Sequence, residues 1–300
     1  MAQTINTAKK YAGELDKMIV QSSKTGFFAD SAFKAKFIGA KEVLIPELTL
    51  VGLGNYDRVE GFAKGDATLT HATYTLTQER SRQLYLDAQD ADESGVADLA
   101  GQMVGEFTRT QVVPEIDAYA LSKLYGVANE KSNVIEYTKA SGVANLLEAI
   151  ASCDAAMEFD GSAGTVAFVD PEMYAVLMNS AELQRSITIS DFKQGEIDTK
   201  VKSINGCAII PVGASRMWSA YTFDAGSTTS AGGFTKTGTA KQVRGIVLPK
   251  DAASLVKKVD KIDLHAPGAD VNRDGYIINF RLYYDLFVKN SRKGTIFAIA

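Results

Sequence analysis

Apolar residues recur along this chain with two different periods, and the switches between them mark its parts. Ala8, Tyr11, Ala12, Leu15 and Ile19 fall on one stripe of a 3.6-residue period. Residues 6–23 therefore predict an amphipathic helix, with Asn6 or Thr7 as cap and Gly26 just beyond its end. No second helix stands beside it in sequence, so its stripe needs a distant partner or another chain. From Lys41 to Val51 the chain is apolar and β-branched, with Pro46 marking an edge or a bulge. A polar, glycine-rich stretch follows (Gly52, Gly54, Asn55, Gly61, Gly65, Asp66), and then 72–77 alternates threonine with apolar residues. That alternation predicts a half-exposed strand, and Gln83–Asp87 a further segment. The simplest geometry is a long two-stranded arm, which is marginally stable alone and has to lean on a neighbour.

Val96, Leu99, Ala100, Met103 and Phe107 open the strongest helical stripe, over 94–125. Ser94 is its expected cap, acidic Asp90, Asp92 and Glu93 lie near its start, and Gly126 is its expected end. Pro114 is expected to bend or break it near Val113. Residues 140–250 read as a separate α/β unit. A helix opened by Ser141 carries Val143, Leu146, Leu147, Ile150, Cys153 and Met157, and Thr165–Val169 is a short buried strand. Asp170 and Pro171 then cap and start another helix, Cys207–Val212 and Gln242–Leu248 are strands, and 225–240 is a Gly/Ser/Thr-rich surface loop. Near the C-terminus Ile278, Phe280, Leu282, Tyr284, Leu286 and Val288 share one strand face. Asn290–Gly294 is expected to turn the chain so that Thr295–Ile299 pairs back on that strand.

Composition narrows the class. The 300 residues are 46% hydrophobic and 23% charged, which excludes a disordered chain. The net charge of −4 argues against a protein whose main task is to grip phosphates. Two cysteines, Cys153 and Cys207, make neither a disulfide framework nor a cysteine zinc site. Met1–Lys10 has no apolar signal region and no run of residues is long enough to span a bilayer, so a soluble protein of a reducing cytoplasm is expected.

Candidate chemistry is sparse. The two histidines, His71 and His265, have no nucleophile elbow beside them. Gly52-Leu53-Gly54 lacks the third glycine and the helix of a dinucleotide loop. Asp270–Gly275 matches the first half of a calcium loop, but Arg281 occupies the position of the bidentate glutamate, which favours an Asp-Gly turn. Asp87, Asp90, Asp92 and Glu93 suit Mg²⁺ or, more plainly, the charge of a helix start. Nothing groups a nucleophile, a base and an orienting residue.

INTAKKYAGELD, TYTLTQERSRQLYLDAQDADES, VADLAGQMVGEFTRTQVVPEIDAYALSKL and AFVDPEMYAVL, in that order, resemble the major capsid proteins of tailed bacteriophages with the HK97-like fold, those of phages of Gram-positive bacteria in particular. The resemblance implies an α+β chain: an N-arm at 1–40, an extended β-hairpin E-loop at 41–90, a P-domain at 91–139 and 251–300 with a long spine helix, and an α/β A-domain at 140–250. It implies a structural, non-enzymatic protein without cofactor or metal, self-assembling through pentamers and hexamers into an icosahedral head around double-stranded DNA. Its partners would be further copies, a portal and a separate scaffolding protein if one is used, with no membrane. It would assemble in the host cytoplasm and reside in the virion. Phe62, Tyr74, Leu76 and Leu84 are the expected ribbon contacts between subunits, with Arg80 and Arg82 as ion-pair partners. Some relatives join an E-loop lysine to a P-domain asparagine with the help of a glutamate. Lys64 and Asn290 match in place, but no acidic residue follows Asp285, so no crosslink is expected. The rival readings are an encapsulin-like cargo compartment with the same fold and a soluble Mg²⁺-dependent α/β enzyme.

Overall fold

The structure, a computed structural model, describes residues 19, 23–30, 36–37, 41–56, 58, 61, 64–87, 99–158, 164–180, 187–194, 197–226, 232–265 and 275–300. The expected helix over 6–23, apart from buried Ile19 and Ser23, lies outside them, as do Phe62, Asp90, Asp92, Glu93, Ser94 and 270–274.

β1 (Lys36–Phe37), β2 (Glu42–Leu50) and β3 (Ala67–Thr75) form an antiparallel sheet in that order. β2 and β3 pair over nine positions from Glu42↔Thr75 to Leu50↔Ala67, so the expected ribbon is present and spans about 30 Å. β4 (Gln78–Asp87) does not prolong it. It becomes the edge of a second sheet described below.

α1 (Leu99–Phe107), a π-helical turn (Thr108–Val112) and α2 (Val113–Glu130) make one continuous spine about 48 Å long. Pro114 does not break it. Val113 N–H donates to Thr108 O, five residues back, and this widened turn accommodates the carbonyls that the proline ring would otherwise crowd. Gly126 does not end it either; the helix runs on to Glu130 because Ala128 and its neighbours still face a core.

The α/β unit contains β5 (Val134–Ile135), α3 (Gly142–Ala156), β6 (Thr165–Val169), α4 (Pro171–Asn179), β7 (Ile187–Gln194), β8 (Ile197–Ile204), β9 (Cys207–Pro211), β10 (Tyr221–Asp224), β11 (Gly233–Lys236) and β12 (Gly245–Pro249). α4 starts as the sequence predicts: Asp170 Oδ1 accepts from Met173 N–H at 2.8 Å, with Pro171 in the first turn. Ser141 precedes α3 without a side-chain cap, and Thr138 caps the short 3₁₀ turn before it. The expected loop at 225–240 is shorter than its composition suggests, because Tyr221 and Phe223 pair with Lys236 and Phe234 in a β10–β11 hairpin.

β13 (Ala253–His265) and β14 (Gly275–Val288) form a long hairpin, and β4 joins the free side of β14. Here the C-terminal expectation fails. β15 (Phe297–Ile299) does not pair with β14, whose two edges are already occupied; a 3₁₀ turn at Asn290–Thr295 sends it into the other sheet. That sheet has the order β5-β15-β12-β6-β9-β8-β7, with β6 and β9 parallel and β15 and β5 parallel.

Two apolar cores result. One packs the spine between the β13–β14–β4 sheet and one face of the seven-stranded sheet, through Ile116, Leu121, Leu124, Phe168, Ile246 and Leu282. The other sits under α3 and α4 on the opposite face, around Leu146, Ile150, Met173 and Ile209.

Candidate assembly surface

The ribbon is rooted by a small apolar cluster and one buried carboxylate. Val43 and Leu76 are buried with Val256, Tyr283 and Phe287, and the Tyr74 ring packs on Phe287 at 5.1 Å. Leu76 N–H donates to Lys41 O at 2.8 Å, closing the ribbon's base. Asp285, 1% exposed, accepts from Thr77 N–H (3.1 Å), Thr77 Oγ1 (2.8 Å), Tyr119 Oη (2.8 Å) and Leu286 N–H (2.7 Å), and pairs with Lys123. A buried charge is tolerated when it is paired and its lone pairs are satisfied. Burial pushes the Tyr119 hydroxyl above its ordinary range, so it stays protonated and donates. Outside this root, Lys41 pairs with Glu79, which also accepts from Tyr283 Oη at 2.6 Å. Lys41 first and Tyr283 second hold the Glu79 carboxyl below its ordinary value.

Beyond the root the ribbon carries exposed apolar side chains. Leu53 is fully exposed, and Val51, Tyr56 and Leu69 are 66, 63 and 60% exposed. Tyr85, on β4, is exposed as well. Concentration of exposed apolar surface on one projecting element is what a contact surface requires.

β4 leads from the root along an open cleft of about 690 Å³, walled by the spine, β14 and the β10–β11 hairpin. Arg80 crosses it. Its guanidinium donates to Glu115 from Nε (2.6 Å) and Nη2 (3.3 Å), and to the carbonyls of Asp224 (2.7 Å) and Gly233 (3.1 Å). Glu115 also accepts from Tyr284 Oη at 3.1 Å. One arginine thus ties β4, the spine and the hairpin together in a forked geometry that lysine cannot copy.

The sequence-predicted contact residues divide accordingly. Leu76 is buried in its own chain, Tyr74 is half-buried against Phe287, and Arg80 pairs with Glu115 of the same chain. Exposed Arg82 and half-buried Leu84 line the cleft. Sequence reasoning passed over Val51, Leu53, Tyr56 and Leu69, although apolar residues set among glycines and polar residues were the available signal. It also passed over Glu115, Asp117 and Asp285, acids set next to apolar residues in a helix or strand.

The remaining chemical candidates are placed as follows. Lys64 is exposed on the ribbon, and Asn290 is exposed at its 3₁₀ turn. A carboxylate does reach that turn: Asp251, at the head of β13, pairs with Lys289 (3.3 Å) and Arg292 (3.4 Å), which flank Asn290 in the chain. Burial pushes the Cys153 thiol up to about 12 and the Cys207 thiol higher, so neither is a ready nucleophile. Among the described residues no group of His, Cys, Asp and Glu gathers to hold a metal, and no helix is long and apolar enough to cross a membrane.

No protein-family model matches the chain, and no curated protein sequence matches it. Solved structures do. The bacteriophage PhiM1 mature capsid matches at a TM-score of 0.58 and 15% identity, over 91% of this chain and 86% of that one. The capsid of the cyanophage P-SCSP1u matches at 0.54 and 15%, over 88% and 84%. A structure from Microbacterium phage Oxtober96 matches at 0.52 and 13%, over 90% and 89%. The chain therefore has the α+β, HK97-like capsid fold that the order of its motifs implies.

Proposed function

We propose that this chain is a major capsid protein, the repeating subunit of an icosahedral phage head. The observation that carries this reading is the ribbon: a firmly rooted, 30 Å projection with fully exposed Leu53 and largely exposed Val51, Tyr56 and Leu69, in a fold shared with phage capsids. Each such side chain contributes about 1.5–3 kcal/mol when a neighbouring copy buries it, and a shell repeats the contact at every subunit. The strand edges of β3 and β4 are covered by the same association.

In this reading the N-arm is 1–40, the E-loop 41–90, the P-domain 91–139 with 251–300, and the A-domain 140–250. Hydrogen bonding crosses these limits at β4, which joins the P-domain sheet, and at β5 and β15, which join the A-domain sheet. Pentamers and hexamers enclose double-stranded DNA without reading it, consistent with a net charge of −4. A portal and, if one is used, a separate scaffolding protein are the expected partners, assembly takes place in the host cytoplasm, and the protein itself performs no catalysis.

The test is a double substitution, Leu53→Asp with Leu69→Asp. Both side chains are exposed, so thermal stability is expected to stay within about 0.5 kcal/mol of the parent. Negative-stain microscopy is expected to show shells from the parent and none from the variant. Normal shells from the variant overturn the ribbon's role, and a parent that stays monomeric at all concentrations overturns the capsid reading. Particles holding a protein cargo and no DNA point to a compartment instead. Boiling the particles in SDS is expected to release a 32.2 kDa chain rather than a ladder of multimers.

A further inference from the structure

Asp117 lies on the spine between Ile116 and Ala118, wholly buried. Its carboxylate collects donors from two segments far apart in sequence. From the N-terminal segment, Oδ1 accepts from Ser23 Oγ (2.5 Å), Thr25 Oγ1 (2.7 Å) and Thr25 N–H (3.1 Å), and Oδ2 accepts from Lys24 N–H (3.1 Å). From the 3₁₀ turn Ala214–Arg216, Arg216 Nη1 donates to Oδ2 at 3.0 Å. Ser23 and Thr25 are buried as deeply as the carboxylate they serve, while Lys24 between them is exposed.

We propose that Asp117 is a latch that couples the seating of residues 23–25 to the setting of the turn at 214–217. An ionised carboxylate in an apolar interior has to be neutralised and hydrogen-bonded at once. Arg216 supplies the opposite charge, and the segment 23–25 supplies four of the five donors. Lifting the segment leaves a buried ion pair with most of its lone pairs empty, so water enters and the turn loosens. Removing Arg216 leaves a buried net charge held by dipoles alone, so the segment loosens. Each half is therefore stabilised by the other, and thermodynamic linkage makes the effect equal in both directions. The coupling connects residues 23–25 to the α/β unit, and it stands whether or not the chain forms a shell.

The experiment uses the 300-residue chain in its native assembly. Two readouts are taken: trypsin cleavage after Lys24, followed by mass spectrometry, which requires local opening of the segment, and hydrogen exchange at the Arg216 and Met217 amides. The double variant Ser23→Ala with Thr25→Val is expected to speed cleavage after Lys24 and also to speed exchange at 216–217, each at least about fivefold. Arg216→Met, which keeps the side-chain stem, is expected to speed cleavage after Lys24 by a similar factor. Thr25→Ser, which keeps the hydroxyl, is expected to behave as the parent. Effects confined to the substituted segment overturn the proposal. If the double variant does not fold, Arg216→Met decides alone: unchanged cleavage after Lys24 overturns the latch.

Discussion

Gly275 begins β14, opposite Asp87 of β4. A Cβ there would lie 2.4 Å from Leu86 O and 2.9 Å from the Tyr85 ring. Gly275→Ala is therefore expected to destabilise the fold by about 1–3 kcal/mol, read as a lower denaturation midpoint. Asp285 is the opposite case, a side chain that cannot be removed. Asp285→Ala removes the acceptor of Thr77, Tyr119 and Lys123 at the ribbon root and is expected to cost about 1–3 kcal/mol in chemical denaturation. The cysteines give a third check. With both thiols buried and their pKa values raised, Cys153 to about 12, neither is expected to react with a thiol reagent at pH 8 in the native protein, and both should react after unfolding. At this scale the sequence was legible where a rule is local. Asp170 and Pro171 could be read as a helix start because the cap bond spans three residues. The partners of Asp285 lie up to 208 residues away, so no local pattern betrays them.

At the scale of elements, periodicity found the ribbon by its alternation, and the spine and the helix of Leu146 and Ile150 by the face that each buries. It failed where a neighbour decided the outcome. Pro114 reads as a break, yet the π turn absorbs it because both halves of the spine are held in the same core. Phe297–Ile299 reads as a partner for β14, but β13 and β4 had already taken both of its edges. The Lys41–Glu79 pair beside the ribbon root gives this scale its own prediction. Glu79 has a folded value lowered from 4.5, so its contribution is present above that value and is lost as pH falls through the depressed one. Lys41 has a folded value raised from 10.5, so its contribution is full below that value and is lost as pH climbs through the raised one. Protection from hydrogen exchange at the base of β2 and β3, relative to the intrinsic rate at each pH, is expected to be greatest between these limits and to fall as Glu79 takes up its proton in acid. Glu79→Gln is expected to flatten the acid limb.

Across the whole molecule, the spine is the common neighbour: Asp117, Glu115 and Tyr119, within about one turn of it, hold the N-terminal segment, the β10–β11 hairpin (through Arg80) and the ribbon root. Arg80→Lys, which loses the fork to Glu115 and the reach to two carbonyls, is expected to speed hydrogen exchange at 221–226 and 233–236 several-fold while leaving the ribbon paired. The order of β15 in its sheet has a further consequence, for biosynthesis. A ribosome makes Phe297–Ile299 after every other strand of that sheet, yet the strand is inserted between β5 and β12. Until it emerges, β5 has no hydrogen-bonding partner there and β12 has one bare side. The larger sheet therefore cannot close until Phe297–Ile299 is available, so its completion waits on the last of its strands to be made.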